Sequence, residues 1–318
     1  MLTGANGLVV EPARTATFSI GGVILGLECL PGGDPLVLPA AYRSFQRDGA
    51  WPDIQVRIGK ADSLEDSEGA VIYRAADHWR ALAERSGVSF EIFYPPTSRL
   101  YCRMAGRPPF SRFELLFGSD NLNSLPEEFT RQCAGRLWIP HPFEQLAFVP
   151  TLARRGGFLV HACAAVVGGK GLVFAGHSGD GKTTLSHALR AEGLELLSDE
   201  RVAIKRQEDG FVVHGTPWTG EGEIVSNVSV PLGGIFVLQQ AREHRVRLEA
   251  SSQIVAELLS RSIVPYYLDD TASRIVTLVH DVAAAVPLGA LECSLEPGLR
   301  DILERFLETP RVFSTVPA

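Results

Sequence analysis

The first half of the chain is marked by short runs in which apolar and polar residues alternate. In "DIQVRIG" the alternation places Ile54, Val56 and Ile58 on one face, as in a half-buried strand. Similar runs occur at "VSFEIFYP", "LYCRM" and "RFELLFG", separated by the turn-rich segments "LPGGDP", "GKADSLEDSEG" and "AGRPPF". A short helix is predicted at residues 75–86, "AADHWRALAERS". Residues 1–140 are therefore predicted to form a mainly β domain, with recognition or regulation as its candidate roles.

After about residue 140 the pattern changes to strands that alternate with helical segments. A helix is predicted at "HPFEQLAFVPTLARRGG", shortened or bent at Pro150. Strands are predicted at "FLVHACAAVV", "GLVFAG", "LELLSDERVAIK", "FVVHG", "GGIFVLQ" and "GALECSL", and helices at "KTTLSHALRAEG", "QIVAELLSRSI", "TASRIVTLVHDVAAA" and "LRDILERFLE". This alternation predicts an α/β domain over residues 141–318.

The segment "GHSGDGKTT", residues 176–184, fits the pattern GxxxxGK[ST] between a predicted strand and a predicted helix. In such a P-loop, backbone N–H groups surround phosphate oxygens, the lysine reaches the β and γ phosphates, and the hydroxyl of the next residue can hold Mg²⁺. We expect the Asp180 side chain to be solvated, and the alternative is a glycine-rich turn that binds nothing. The predicted nucleotide-binding residues are Gly176, Ser178, Gly179, Asp180, Gly181, Lys182, Thr183 and Thr184.

Three residues outside this loop carry candidate chemistry. Asp199 follows Lys182 by seventeen residues and lies within an apolar predicted strand, where a carboxylate is costly unless a cation or hydrogen-bond donors meet it. Glu200 would point to the opposite face of a regular strand, so it belongs either to the site or to a surface ion pair. His161 precedes Gly176 by fifteen residues and is either a core histidine or a functional one.

Taken together, the GxSGxGK[ST] loop, the offset of His161 and "LLSDERV" resemble the C-terminal domain of the HPr kinase/phosphorylase family, most closely over residues 155–240. The resemblance implies an α/β (α+β) P-loop domain with a mixed sheet, similar to phosphoenolpyruvate carboxykinase. It also implies that Lys182 and the loop glycines hold ATP and that Thr183 and Asp199 hold Mg²⁺. Asp199 would accept the proton of the acceptor hydroxyl, and His161 and Glu200 match further catalytic positions. A homo-oligomer is compatible with the family.

The chain departs from this family in the segment after the acidic pair. The family has a stretch close to EIRGLGI with a phosphate-handling arginine, whereas no arginine falls between Trp218 and Leu238 here. This difference argues against HPr as the acceptor and against the reverse phosphorylase reaction. In the same region His214, Thr216 and Trp218 form a cluster that is either a surface for an acceptor or an adenine, or a turn with a half-buried tryptophan.

Composition narrows the possible partners. The 318 residues carry a net charge of −7 with a pI near 5.7 and no basic cluster with interleaved aromatics, so nucleic acid is not an expected partner. Five widely spaced cysteines without a CxxC pair indicate buried thiols in a reducing cytoplasm. No secretory signal is evident at the N-terminus, and the longest apolar stretch, residues 157–176, contains His161 and Lys170, so we expect no membrane span.

The sequence therefore predicts a cytoplasmic ATP- and Mg²⁺-dependent kinase that phosphorylates a hydroxyl, most simply a serine of a small protein or peptide. Two alternatives remain open. The same site could serve a small-metabolite kinase, or ATP could close a binding or regulatory module in which catalysis is weak or absent.

Overall fold

The computed structural model describes residues 13–31, 36, 38–64, 67–75, 78–94, 99–118, 139, 141–177, 179–249, 251–294 and 296–308. The chain divides between Thr151 and Leu152 into two compact units, compared with the boundary near residue 140 predicted above. Among the described residues, Cys29, Cys102 and Cys163 are buried and Cys293 is partly exposed, and none of them is in a disulfide; Cys133 and Ser178 lie outside the described residues.

The first unit contains one mixed eight-stranded sheet in the order β1-β2-β3-β8-β7-β6-β5-β4. The β2–β3 and β3–β8 pairs are parallel, and the other pairs are antiparallel. A short 3₁₀ helix, Ala40–Phe45, precedes β3. The mainly β character predicted for this half is confirmed. The strands are β1 Thr15–Ile20, β2 Val23–Cys29, β3 Ile54–Ala61, β4 Ala70–Ala75, β5 Trp79–Glu84, β6 Gly87–Tyr94, β7 Arg99–Gly106 and β8 Arg112–Gly118.

The helix predicted at residues 75–86 is wrong, because Trp79–Glu84 is a strand paired with Gly87–Tyr94 in an antiparallel hairpin. The Trp79 ring packs against the rings of Phe90 and Tyr73, with centroids 6.4 and 5.0 Å apart. Six residues of mixed polarity fit a helix or a strand about equally well, and cross-strand packing decided the outcome.

The second unit contains a mixed sheet in the order β10-β9-β12-β13-β14-β16-β15, with β11 paired to β9. A further parallel pairing joins β10 to β14, so that β10, β9, β12, β13 and β14 form a closed ring. Helix α1, Phe143–Arg154, spans the division between the units. The other elements are β9 Gly157–Val167, β10 Lys170–Ala175, α2 Lys182–Ala191, β11 Glu195–Ser198, β12 Arg201–Gln207, β13 Gly210–His214, β14 Ser229–Gln240, β15 Arg245–Leu248, α3 Ser252–Ser260, α4 Asp269–Ala285, β16 Leu288–Cys293 and α5 Leu299–Glu308.

Helices α2 and α5 share one buried apolar cluster with β9, β10 and β14. Leu185 and Leu189 of α2 and Leu303 of α5 are essentially inaccessible to solvent. The ring of Phe236 on β14 meets that of Phe306 edge to face, with centroids 5.0 Å apart. This cluster fixes the start of α2, and with it the glycine-rich loop, against the sheet. No helix within the described ranges is long and apolar enough to cross a membrane.

Candidate functional site

Strand β9 connects three distant segments at His161. The backbone N–H of His161 donates to the carbonyl of Arg261 at 2.8 Å, and its carbonyl accepts the N–H of Gly176 at 3.2 Å. The next residue, Ala162, donates its N–H to the carbonyl of Glu200 at 3.1 Å. The glycine-rich loop, the acidic pair and the end of α3 therefore meet at one point of the sheet.

The glycine-rich loop, residues 176–184, turns sharply into α2. Gly179 and Gly181 have φ values of +90° and +98°, a region that residues with a Cβ rarely adopt. Gly181 is the N-cap of α2, so backbone N–H groups at the helix start are not used within the helix. Thr183 is half-buried and Thr184 is exposed, while Ser178 lies outside the part of the chain that the structure describes.

Lys182, the first residue of α2, is buried although its side chain is cationic. Only 6% of it is exposed, and its Nζ donates to the carbonyl of His177 at 2.8 Å. Burial lowers the pKa of Lys182, and the charge of Glu200 acts in the opposite direction. The amine and the Glu200 carboxylate therefore belong to one electrostatic environment.

The prediction of a single strand at residues 194–205 is wrong. The segment forms β11 and β12, with Asp199 and Glu200 in the turn between them. The Ser198 hydroxyl accepts the N–H groups of Glu200 and Arg201, both at 3.1 Å, and so stabilises this turn. Because the strand is interrupted, the two carboxylates are not constrained to opposite faces of a sheet, and each has a different set of partners.

The Asp199 carboxylate holds the loop between β13 and β14. Its Oδ1 accepts the N–H of Gly220 at 3.0 Å, and its Oδ2 accepts the N–H of Gly222 at 2.7 Å. The residue is 2% exposed. The donors that meet this buried carboxylate are therefore backbone amides.

Glu200 pairs with His161. The Nε2 of His161 lies 2.9 Å from Oε2 of Glu200, and the Arg201 guanidinium binds the other carboxylate oxygen. Burial lowers the pKa of His161, and the Glu200 hydrogen bond only partly offsets it. Burial tends to raise the pKa of Glu200, but the hydrogen bond from His161 and the charges of Arg201 and Lys182 lower it overall. At neutral pH the pair is thus a neutral imidazole beside a carboxylate, and such an imidazole can accept a proton.

The cluster around His214 is buried more deeply than the sequence indicated. Trp218 is 5% exposed rather than half-buried, and the Thr216 hydroxyl donates to the carbonyl of Arg201 at 2.6 Å. The Nδ1 of His214 lies 2.5 Å from the hydroxyl of Ser229, whereas its buried Nε2 has no partner among the described residues. Burial lowers the pKa of His214 to about 4, so this ring is neutral at pH 7.

Two arginines in the site were not identified from sequence. Arg201 directly follows the acidic pair, and this adjacency is the sequence signal that could have identified it as a site residue. Arg261 is the C-cap residue of α3, far along the chain from the loop, and backbone pairing with β9 brings it there. Asp180, expected to be solvated, is half-buried with its Oδ2 3.5 Å from Nη2 of Arg261.

The oxygen donors in this region are suited to a hard cation such as Mg²⁺. The described residues contain no group of three His, Cys, Asp or Glu side chains that could hold a metal by themselves. Mg²⁺ in phosphate sites usually takes one or two carboxylates and completes its shell with water and phosphate oxygens. The Thr183 hydroxyl and the Asp199 and Glu200 carboxylates are oxygen donors of this kind, so the residue types fit.

The structure defines a two-unit α/β protein with two mixed sheets. Residues 144–308 match the family described as SynChlorMet cassette protein ScmC. The match covers more than half of the 318 residues, and the chain therefore belongs to this family.

Other comparisons are weaker. No curated protein matches the chain. Among solved structures, the HPr(Ser) kinase/phosphatase from Coxiella burnetii is 18% identical, and the similarity covers 38% of this chain and 93% of that chain with a TM-score of 0.23. A TM-score this low does not by itself assign a function to the chain.

Proposed function

We propose that this protein is an ATP-dependent phosphotransferase that transfers the γ-phosphoryl group to a hydroxyl, most simply a serine of a small protein or peptide. The observation that carries the proposal is the His161–Glu200 pair, held by β9 next to the glycine-rich loop and electrostatically linked to Lys182. Phosphoryl transfer depends mainly on positioning and on neutralising charge, and it needs few protein groups.

The glycine-rich loop supplies the phosphate-binding part of the proposal. Gly179 and Gly181 allow a turn that residues with side chains would strain, and the N-terminus of the ten-residue α2 follows directly. Unused N–H groups at such a terminus favour anions. The buried amine of Lys182 is bound to a backbone carbonyl of the same loop, and a phosphate oxygen could replace that carbonyl.

The His161–Glu200 pair supplies a proton acceptor. His161 is neutral at pH 7, and its Nε2–H donates to the Glu200 carboxylate, so Nδ1 carries the lone pair. When the acceptor oxygen attacks the γ-phosphorus of ATP, the bond from that phosphorus to the bridging oxygen breaks and ADP leaves. The hydroxyl proton can move to this ring, and the Glu200 carboxylate stabilises the imidazolium that forms. These contacts favour His161 as the base and leave Asp199 to hold the 220–222 segment. The resemblance to the HPr kinase/phosphorylase family had instead assigned the proton to Asp199.

Thr183 and Asp199 remain the proposed Mg²⁺ ligands, with Glu200 as a neighbouring carboxylate. A bound Mg²⁺ would neutralise phosphate charge during transfer. The Arg201 guanidinium contributes positive charge from the protein itself, since it binds Glu200 at the edge of the same site.

The test is transfer of label from γ-labelled ATP. Wild type, Lys182→Ala and the exposed control Lys170→Ala are incubated with Mg²⁺ and a size-fractionated lysate, and ATP affinity is measured in parallel. We expect label in a protein or peptide fraction with wild type and Lys170→Ala and none with Lys182→Ala. Label in small molecules alone would make the protein a metabolite kinase. Tight ATP binding without any product would favour the nucleotide-dependent binding module.

A further inference from the structure

Arg261 lies beside the glycine-rich loop in a fixed position. It caps the C-terminal end of α3, its carbonyl accepts the N–H of His161 at 2.8 Å, and Ser262 forms a β-bridge with Val160. These backbone contacts attach the residue to the same strand that positions the loop. Its side chain is 7% exposed, so the guanidinium is placed by the fold and is not a mobile surface cation.

The hydrogen-bonding capacity of this guanidinium is only partly used. Nη1 binds the carboxylate and, at 3.0 Å, the carbonyl of Glu257. Nη2 lies 3.5 Å from Oδ2 of Asp180, which is longer than the usual 2.7–2.9 Å or so of a charge-assisted hydrogen bond. Nε is buried and has no partner among the described residues. A buried donor without a partner is costly, and this one belongs to the side chain that points to the loop.

Asp180 connects this arginine to the loop backbone. The same oxygen, Oδ2, accepts the N–H of His177 at 2.5 Å and faces Nη2 of Arg261. One carboxylate oxygen therefore lies between a loop amide and a guanidinium. An oxygen of a bound phosphate would find the same two kinds of donor, and the planar guanidinium is well suited to phosphate.

We propose that Arg261 is a phosphate-binding residue of this loop, which exchanges its weak ion pair with Asp180 for an oxygen of a bound phosphate. This inference rests on the proposed function. Arg261 would also supply the site with a cation from outside the segment Trp218–Leu238, which contains no arginine. Asp180 is then an internal anion that occupies the arginine while phosphate is absent.

The test measures binding of inorganic pyrophosphate and ATP by calorimetry, without any turnover. The variants are Arg261→Met and Arg261→Lys, and Arg274→Met is the control because it removes an exposed arginine paired with Asp270. We expect Arg261→Met to weaken both ligands about tenfold or more, Arg261→Lys to recover part of the loss, and Arg274→Met to bind like wild type.

A double-mutant cycle separates binding from a structural role. Asp180→Asn should tighten pyrophosphate binding in the wild-type background, because it releases the guanidinium of Arg261. Part of that gain should disappear in the Arg261→Lys and Arg261→Met backgrounds, where this guanidinium is replaced or absent. If Arg261→Met does not fold, the Arg261→Lys cycle gives the same answer. Equal affinities in wild type and the Arg261 variants, or a strictly additive cycle, would overturn the inference alone. A wild type that binds neither ATP nor pyrophosphate would overturn the proposed function as well.

Discussion

Replacing Asp199 by asparagine tests whether its carboxylate holds the loop between β13 and β14. The carboxylate accepts two backbone N–H groups, from Gly220 and Gly222, at 3.0 and 2.7 Å. Asparagine keeps the shape but has one amide oxygen, so one glycine N–H would face an NH₂ group. Hydrogen bonds to charged groups contribute about 1.5–3 kcal/mol each. We therefore expect the Asp199→Asn loop to be about 1.5–3 kcal/mol less stable, which corresponds to about 10–160-fold faster exchange of these amides.

Hydrogen exchange followed by mass spectrometry over the 216–225 segment is the direct assay. Gly222→Ala perturbs the same contact from the other side, because a Cβ there would lie 2.7 Å from Oδ2 of Asp199. Asp281→Asn is the control, since that carboxylate pairs with Arg206 at the surface. Unchanged exchange in Asp199→Asn would refute the holding role. If phosphotransfer were lost while this exchange stayed unchanged, the loss would be due to the proposed Mg²⁺-binding role of Asp199 and not to the position of the 220–222 segment.

Two further substitutions test the histidines through pH. Glu200→Gln should lower kcat by about 10²–10⁴-fold, because the carboxylate no longer stabilises a protonated His161. The same change removes interactions that raise the pKa of His161, so the acidic limb of the pH–rate profile should move to lower pH; an unmoved limb would contradict His161 as the base. His214 has a pKa of about 4 when folded and about 6.5 when unfolded, so its contribution to stability is full above pH 6.5 and is lost as pH falls towards 4. Urea unfolding at pH 7.5 and 4.5 should show wild type losing about 2–3 kcal/mol more than His214→Gln, and equal losses would contradict burial of a neutral ring.

Much of the second unit could be predicted from local sequence. The apolar periodicity of α2, α4 and α5 and the continuous apolar runs of β9, β10 and β14 indicated these elements, because each buries a face that its own spacing defines. The glycine-rich loop could also be predicted, because the left-handed φ values at Gly179 and Gly181 favour glycine and the spacing of these glycines is visible in the sequence.

Other features depended on contacts between distant residues. Residues 79–84 became a strand because β6 was available to pair with them, and the segment 195–207 broke into two strands because Ser198 could stabilise a turn. The partners of the two adjacent carboxylates followed from that turn, with Asp199 bound to glycine amides and Glu200 to His161.

By itself, the sequence determined which segments fold as helices or strands in the second unit and where a loop suited to phosphate begins. Only the tertiary structure decided that Arg261 lies beside this loop, that Asp180 pairs with it, and that Glu200 faces His161. The physical reason is that hydrophobic periodicity and backbone dihedral preferences are set by a few neighbouring residues. The electrostatic field and the hydrogen bonds at a site come from segments that meet only when the sheet assembles.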